Sequence, residues 1–362
     1  MIGIYNETDP LKFAALWGPV GAEALLAQLY PPTISLFFAD FNVLKARQEA
    51  LDFAKALNNF GVKTFFVRDE VAKNIKPIKM TLEQLITKLG ENTRELILQD
   101  VARYGEEKAV ALNHFLCLKF KFPLGNLIYA RDQMNVLLDK MIISSMTKPI
   151  REDEVSIYES VYKNLDIEKI HLPKGETFEG GDAYIHNGYI YMGVGVRTTL
   201  EAAKYIFEKL NPKDLEFAIV ADRNPHSRSA KEQMDFMHLD TFSNPIGDDQ
   251  IAVCEEEARR RRVLFLKKVA GKTRVIDSGL SFLEHLEKKE KDIVIIPGEE
   301  QESFGCNFLA IDNKTLILPL NSNKKTNERL ADCGKQLVFQ CLFESTRGYG
   351  AAHCMTGQLF RG

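Results

Sequence analysis

An α/β fold is predicted for this chain of 362 residues by two observations. Short apolar runs recur in pairs joined by tight turns, and each pair is followed by a helical pattern and then a further apolar run. No stretch rich in Pro, Gly and Ser divides the sequence, so residues 1–362 read as one catalytic domain. Repetition of hairpin, helix and strand argues for pseudo-symmetric modules arranged round a centre rather than for a doubly wound sheet.

In chain order, residues 80–119 read as mostly helical, an insertion in the repeat. Leu127 to Ile143 gives the first clear pair of apolar runs, with a helix expected from about Glu152. Ala183 to Met192 is the strongest hairpin, because Asn187-Gly188 stands between alternating aromatic and aliphatic residues. Thr198-Thr199 then caps a helical pattern through Leu210, and Phe217 to Val220 supplies the next strand. Phe236 to Phe242 is expected to be extended. Asn307 to Leu318, turning at Asp312-Asn313, repeats the plan with a helix ending near Cys333 and a strand at Gln336 to Phe339.

The 47 basic and 50 acidic residues are well mixed and leave a net charge of −3, which points away from nucleic acid and membrane partners and toward a small molecule or a protein. The longest basic run, Arg259 to Arg262, follows Glu255-Glu256-Glu257 and reads as a solvated face. Six scattered cysteines lack a CxxC pair or the density of a disulfide scaffold, so they read as reduced thiols in a cytoplasmic protein. No stretch has the length and apolarity of a membrane span, and the N-terminus lacks the pattern of a signal peptide.

Chemistry concentrates in a few places. Gly350-Ala351-Ala352-His353-Cys354-Met355-Thr356 carries a thiol on a turn of small residues, with room for a substrate. His238 and Asp240, two apart, would leave one face of a strand together, one as acid or base and the other as a cation ligand. Glu179-Gly180-Gly181-Asp182 is either an acidic turn or a place where backbone approaches a ligand. Asn126 and Asp132 stand at the two ends of an apolar run, and taken alone Asp132 reads as a solvated hairpin residue. No metal-ligand spacing and no phosphate-binding glycine loop occurs, so neither metal nor cofactor is expected. Carboxylates around a thiol raise its pKa and spoil it as a nucleophile unless the substrate is a cation that offsets them. A guanidinium meets that demand, since its planar N–H groups pair with carboxylates while its carbon faces the thiolate.

In these residues the chain resembles the arginine deiminases of the guanidino-group-modifying superfamily, from about residue 120 onward. Asn126, Arg131 and Asp132 match one family element, Arg151 the arginine nineteen residues on, Glu179 to Asp182 the Glu-Gly-Gly-Asp motif and Arg197-Thr198 the pair after it. Met237 to Thr241 and His353 to Thr356 match almost letter for letter. The resemblance implies a five-bladed α/β propeller of ββαβ modules and a covalent, cofactor-free mechanism. Cys354 would attack the guanidinium carbon, Asp132 and Asp240 would grip its nitrogens, and His238, oriented by Glu179, would serve as general acid and base. Asn126, Asp182, Arg151 and Arg197 would bind the rest of the substrate, the two arginines taking its carboxylate.

L-arginine, giving citrulline and ammonia, is the expected substrate and reaction, with a homo-oligomer an open assembly. One departure from the family is that Tyr349 stands five residues before Cys354, where an arginine is usual. Alternatives are a dihydrolase that carries arginine on to ornithine, carbon dioxide and ammonia, an amidinotransferase, an enzyme acting on peptidyl arginine, and a non-enzymatic arginine- or protein-binding module on the same scaffold.

Overall fold

The computed structural model describes residues 2–362 and has a mixed α/β architecture of five separate sheets. β1 (Leu11–Leu16) runs parallel to β2 (Lys63–Phe66). The second sheet pairs β3 (Met134–Leu137) antiparallel with β4 (Lys140–Ile143), which runs parallel to β5 (Glu168–His171). The third repeats this with β6 (Ala183–His186), β7 (Tyr189–Val194) and β8 (Glu216–Ala221). The fourth is built from β9 (Ser243–Gly247) and β10 (Gln250–Cys254), interrupted by a hairpin of β11 (Arg262–Val269) and β12 (Lys272–Ser281) that joins β8, before β13 (Asp292–Ile296) completes it. The fifth holds β14 (Leu309–Ala310), β15 (Thr315–Pro319) and β16 (Gln336–Gln340). β17 (Gly357–Arg361) then returns to pair antiparallel with β1, so the first sheet contains strands from both ends of the sequence.

In the second to fifth sheets the second strand of an antiparallel hairpin pairs with a parallel strand reached through a helical crossover, and in the first β17 stands where the hairpin's first strand would be. The helix Leu200–Leu210 shows how the sequence specifies one: the Thr199 side chain accepts from the Ala202 amide at 3.2 Å. Ala202, Ala203, Ile206, Phe207 and Leu210 form an apolar stripe buried on Ile190, Met192, Phe217 and Ile219 of the sheet. The turn at Asn187-Gly188 has positive φ at both residues, as its hairpin requires. Helices Leu82–Leu89, Arg94–Tyr104 and Glu106–Leu118 occupy the stretch expected to be helical. Arg68 pairs there with Glu23 and Asp100, all three side chains fully buried.

Three local expectations need correction. Residues 236–242 are not a strand: His238 caps a short helix, Leu239–Phe242, because its extended backbone turns where Asp182 Oδ1 accepts from the Leu239 amide at 3.0 Å. Residues 126–132 are not extended either, but form a 3-10 helix, Gly125–Ile128, and a turn. Within the basic run Arg261 is buried, its guanidinium 4.3 Å from the centre of the Phe242 ring and its Nε 3.2 Å from Glu257, so the run is not wholly a solvated face. No helix among the described residues is long and apolar enough to cross a membrane.

Candidate active site

The polar residues singled out in the sequence share a position in the repeat. Asp132 lies just before β3, Glu179 and Asp182 just before β6, His238 and Asp240 just before β9, and Cys354 just before β17. Each therefore precedes the antiparallel strand of its sheet, β3, β6, β9 or β17. That equivalence brings together side chains separated by more than two hundred residues.

The centre of the site is His238, fully buried, with Nε2 2.9 Å from Glu179 Oε2 and Nδ1 3.5 Å from Asp132 Oδ1. Burial alone would lower its pKa, but Asp132, the hydrogen bond to Glu179 and the charge of Asp182 outweigh it and push the imidazole up to about 9. His238 is therefore an imidazolium at neutral pH. Glu179, also accepting from the Thr147 amide at 3.1 Å and from Arg197 Nη1 at 3.3 Å, stays well below the usual carboxylate range: burial opposes ionisation, and Arg197 and His238 overcome it.

Asp240 Oδ2 lies 2.7 Å from His353 Nδ1, and His353 Nε2 lies 3.0 Å from Glu7 Oε1. Asp132 Oδ2 accepts from Arg151 Nη1 at 2.6 Å. The other carboxylate oxygen of each aspartate, Asp132 Oδ1 and Asp240 Oδ1, makes no hydrogen bond among the described residues, and neither does His238 Nδ1. Buried polar atoms without partners are costly, and three in one place imply a ligand with donors for the two oxygens. Gly181 keeps that space open, because a Cβ there would come within 2.8 Å of His238 Nδ1 and 2.9 Å of Asp240 Oδ1.

Cys354 is buried in this surrounding. Burial, then the charges of Asp240 and Asp132, push its thiol well above the ordinary value. The free site thus holds a neutral thiol beside unspent negative charge. Its turn is held by Asn307, whose Oδ1 accepts from the Ala351 amide at 3.1 Å and the Cys354 amide at 3.3 Å, while its Nδ2 donates to the Asp240 carbonyl at 3.1 Å. Asn307 was missed by sequence reasoning, although it stands just before β14, the equivalent position in the fifth module. Glu7 and Glu154 were missed as well. Glu154 accepts from Arg151 Nε at 2.9 Å and from the Asn126 amide at 3.1 Å, three residues after Arg151 on the first turn of a helix.

The expected substrate-binding residues divide into two groups. Asp182 has both oxygens engaged, one by Leu239 N and one by Thr198 Oγ1 at 2.6 Å, and burial raises its pKa to about 6 against the pull of His238 and Thr198. It braces the His238 turn and is not among the residues lining the cavity. Asn126 and Arg151 do line the cavity, with Tyr129, Asp132, Met234, Met237, Tyr349 and Cys354. Arg197 is buried with one carboxylate partner, while its Nη2 rests on the sulfurs of Met234 and Met237 at 3.1 and 3.7 Å. Thioethers are weak acceptors, so this guanidinium is under-partnered. The cavity measures about 10 Å³, room for roughly one water.

The chain is similar to known proteins over most of its length. Residues 108–361 match the family profile described as arginine deiminase. An arginine deiminase of Listeria monocytogenes is 25% identical over 378 residues, covering 90% of each chain. Among solved structures, the N-terminal domain of ArgZ, an arginine dihydrolase from the ornithine-ammonia cycle in cyanobacteria, superposes with a TM-score of 0.63 at 15% identity, covering 98% of both chains. SxtG, an amidinotransferase from Microseira wollei in the saxitoxin biosynthetic pathway, does so with a TM-score of 0.60 at 15% identity, covering 99% of this chain and 97% of that one.

Proposed function

The chain belongs to the arginine deiminase family, and from that premise we propose that it is a cofactor-free hydrolase of guanidino groups, with L-arginine as substrate and citrulline and ammonia as products. The observation that carries this reading is the trio of unpartnered atoms, Asp132 Oδ1, Asp240 Oδ1 and His238 Nδ1, beside a buried thiol. In this reading the five sheets are blades round a centre, the helices of 82–118 are an insertion in a single domain, and the residues entering each blade meet at the axis.

The guanidinium donates to Asp132 and Asp240, and its positive charge offsets the carboxylates that hold the Cys354 thiol protonated. The thiol proton leaves to solvent as substrate binds, and the thiolate attacks the guanidinium carbon. His238 gives its Nδ1 proton to the departing nitrogen, since Nε2 is committed to Glu179. Ammonia leaves, and a C–S bond joins the remaining amidino carbon to Cys354. Neutral His238 then takes a proton from water; the resulting hydroxide attacks the same carbon, the C–S bond breaks, and citrulline and free Cys354 result. Arg197, relieved of its sulfur contacts, takes the substrate carboxylate, with Arg151 beside it.

Mass-resolved product analysis with L-arginine, run beside Cys354→Ala and with agmatine and glycine in separate tubes, tests this. Citrulline from the unaltered protein alone supports the proposal. Ornithine without an added acceptor replaces it with a dihydrolase, guanidinoacetate formed only with glycine replaces it with a transferase, and no product from any tube refutes hydrolysis of these guanidines.

A further inference from the structure

The segment leading into Cys354 contains a conformational oddity. The helix Phe343–Arg347 ends at Gly348, and the residue after it, Tyr349, has φ +78°, in the left-handed region that a glycine ordinarily occupies at a helix end. Glycines flank it on both sides but are needed elsewhere: a Cβ on Gly348 would come within 2.5 Å of Tyr129 Oη, and one on Gly350 within 2.3 Å of the Tyr129 ring. A tyrosine held in left-handed backbone between two glycines is strain that its surroundings sustain.

Those surroundings form a cover. The Tyr349 ring stands 5.5 Å from that of Phe38 and 6.0 Å from that of Phe304, and its hydroxyl donates to Asp235 Oδ1 at 3.1 Å. Asp235 ends the short helix Ala230–Asp235, and Lys231 Nζ holds its other oxygen at 3.0 Å. That helix carries Met234, and Met237 follows it directly before His238. Leu36, itself at φ +67°, packs in one apolar cluster with Phe38, Met234, Met237 and Tyr349, and all of these but Phe38 line the catalytic cavity. The cavity beneath is too small for any amino acid, so substrate enters only if the cluster parts. The nucleophile's own loop and the segment before His238 meet at the hydrogen bond between Tyr349 and Asp235.

We propose that Tyr349 is a positioning residue for this site, the latch whose hydrogen bond to Asp235 holds the cover shut over Cys354 and whose release admits the substrate. The inference takes from the proposed function only that Cys354 is the group to be reached. It does not depend on which guanidine is turned over.

The test reads access to the thiol instead of turnover. The folded, full-length protein is treated with iodoacetamide, and modification of Cys354 and Cys341 is followed by peptide mass mapping, with the exposed Cys341 as internal reference. Tyr349→Phe keeps the ring contacts and removes only the hydroxyl. The Cys354 rate relative to Cys341 should rise about fivefold, the change in opening equilibrium expected from losing one ordinary hydrogen bond. Asp235→Ala should give the same increase, and the double variant no more than either alone, because the two changes remove one interaction. An unchanged ratio in both single variants, or increases that multiply in the double variant, would overturn the latch. Citrulline production with unchanged ratios leaves the proposed reaction standing and removes the latch. A fivefold rise in a protein that makes no product does the reverse.

Discussion

Asp132 is shared unequally with Arg151: Nη1 of the arginine donates to Oδ2 at 2.6 Å, and the second oxygen stays free beside His238. The pair is buried on both sides. A guanidinium already sits on the outer oxygen, and the inner one is left for another.

Asp132→Asn and Asp240→Asn should each lower the Cys354 thiol pKa in the free protein, because both carboxylates raise it. The pH dependence of Cys354 alkylation measures this directly. Each variant should also lose about 10²- to 10³-fold in kcat, the scale seen when one preorganised charge partner is removed. A thiol titration unmoved in both variants would mean that the carboxylates do not act on the sulfur.

His238 binds its proton more tightly in the folded chain than in the unfolded one, about 9 against 6.5. The resulting stabilisation is fully present below about pH 6.5 and is lost as pH rises through about 9, amounting to about 3 kcal/mol. Urea unfolding across that range should show the decline. Glu179→Gln should lower the imidazole pKa, read from the His238 ring resonance, and flatten the decline.

Arg197→Ala should raise KM for a substrate bearing a carboxylate about 10- to 100-fold, the worth of one charge-assisted hydrogen bond, with a smaller effect on agmatine. Steady-state kinetics on both compounds decides it. Equal effects on the two would move the carboxylate site elsewhere.

Arg151→Ala should behave differently, because Asp132 and Glu154 would be left buried without their cation. A loss of about 3–5 kcal/mol in stability is expected, readable in denaturant unfolding. Stability within about 1 kcal/mol of the unaltered protein would show that solvent readily replaces the guanidinium.

Asn307→Ala removes two acceptor bonds to the Cys354 turn and one donor bond to the Asp240 carbonyl. It should lower kcat about 10- to 100-fold with little change in KM, since a misplaced nucleophile slows attack more than binding. A change confined to KM would assign Asn307 to substrate recognition.

The local plan was legible in the sequence because it depends on short-range rules: the Asn187-Gly188 turn, the Thr199 cap and the stripe from Ala202 to Leu210 all lie where their patterns set them. His238 and Asp240 were identified but put on a strand, because alternation cannot reveal that Asp182, fifty-odd residues earlier, captures the Leu239 amide and turns the chain. Asn307 escaped notice for the opposite reason. An asparagine before a hairpin is ordinary by local criteria, and its importance arises only when five equivalent entry points are superimposed. Glu7 was invisible in the same way, since its partners His353, Gln358 and Arg361 are supplied by the far end of the chain. Arg261 was misjudged because neighbouring charges set the expectation, whereas the Phe242 ring and Glu257 decide its place.

The pairing of β17 with β1 gives the protein a schedule. Cys354 stands just before β17, and His353 beside it is anchored to Glu7, so neither is in position until β17 has found β1. Pairings between residues far apart in sequence slow folding. Until that pairing forms, Cys354 has no imidazolium, no aspartate pair and no cover, and is chemically an ordinary thiol. Pairing of β17 with β1 therefore turns an ordinary thiol into one whose proton is held by burial and by the charges of Asp240 and Asp132.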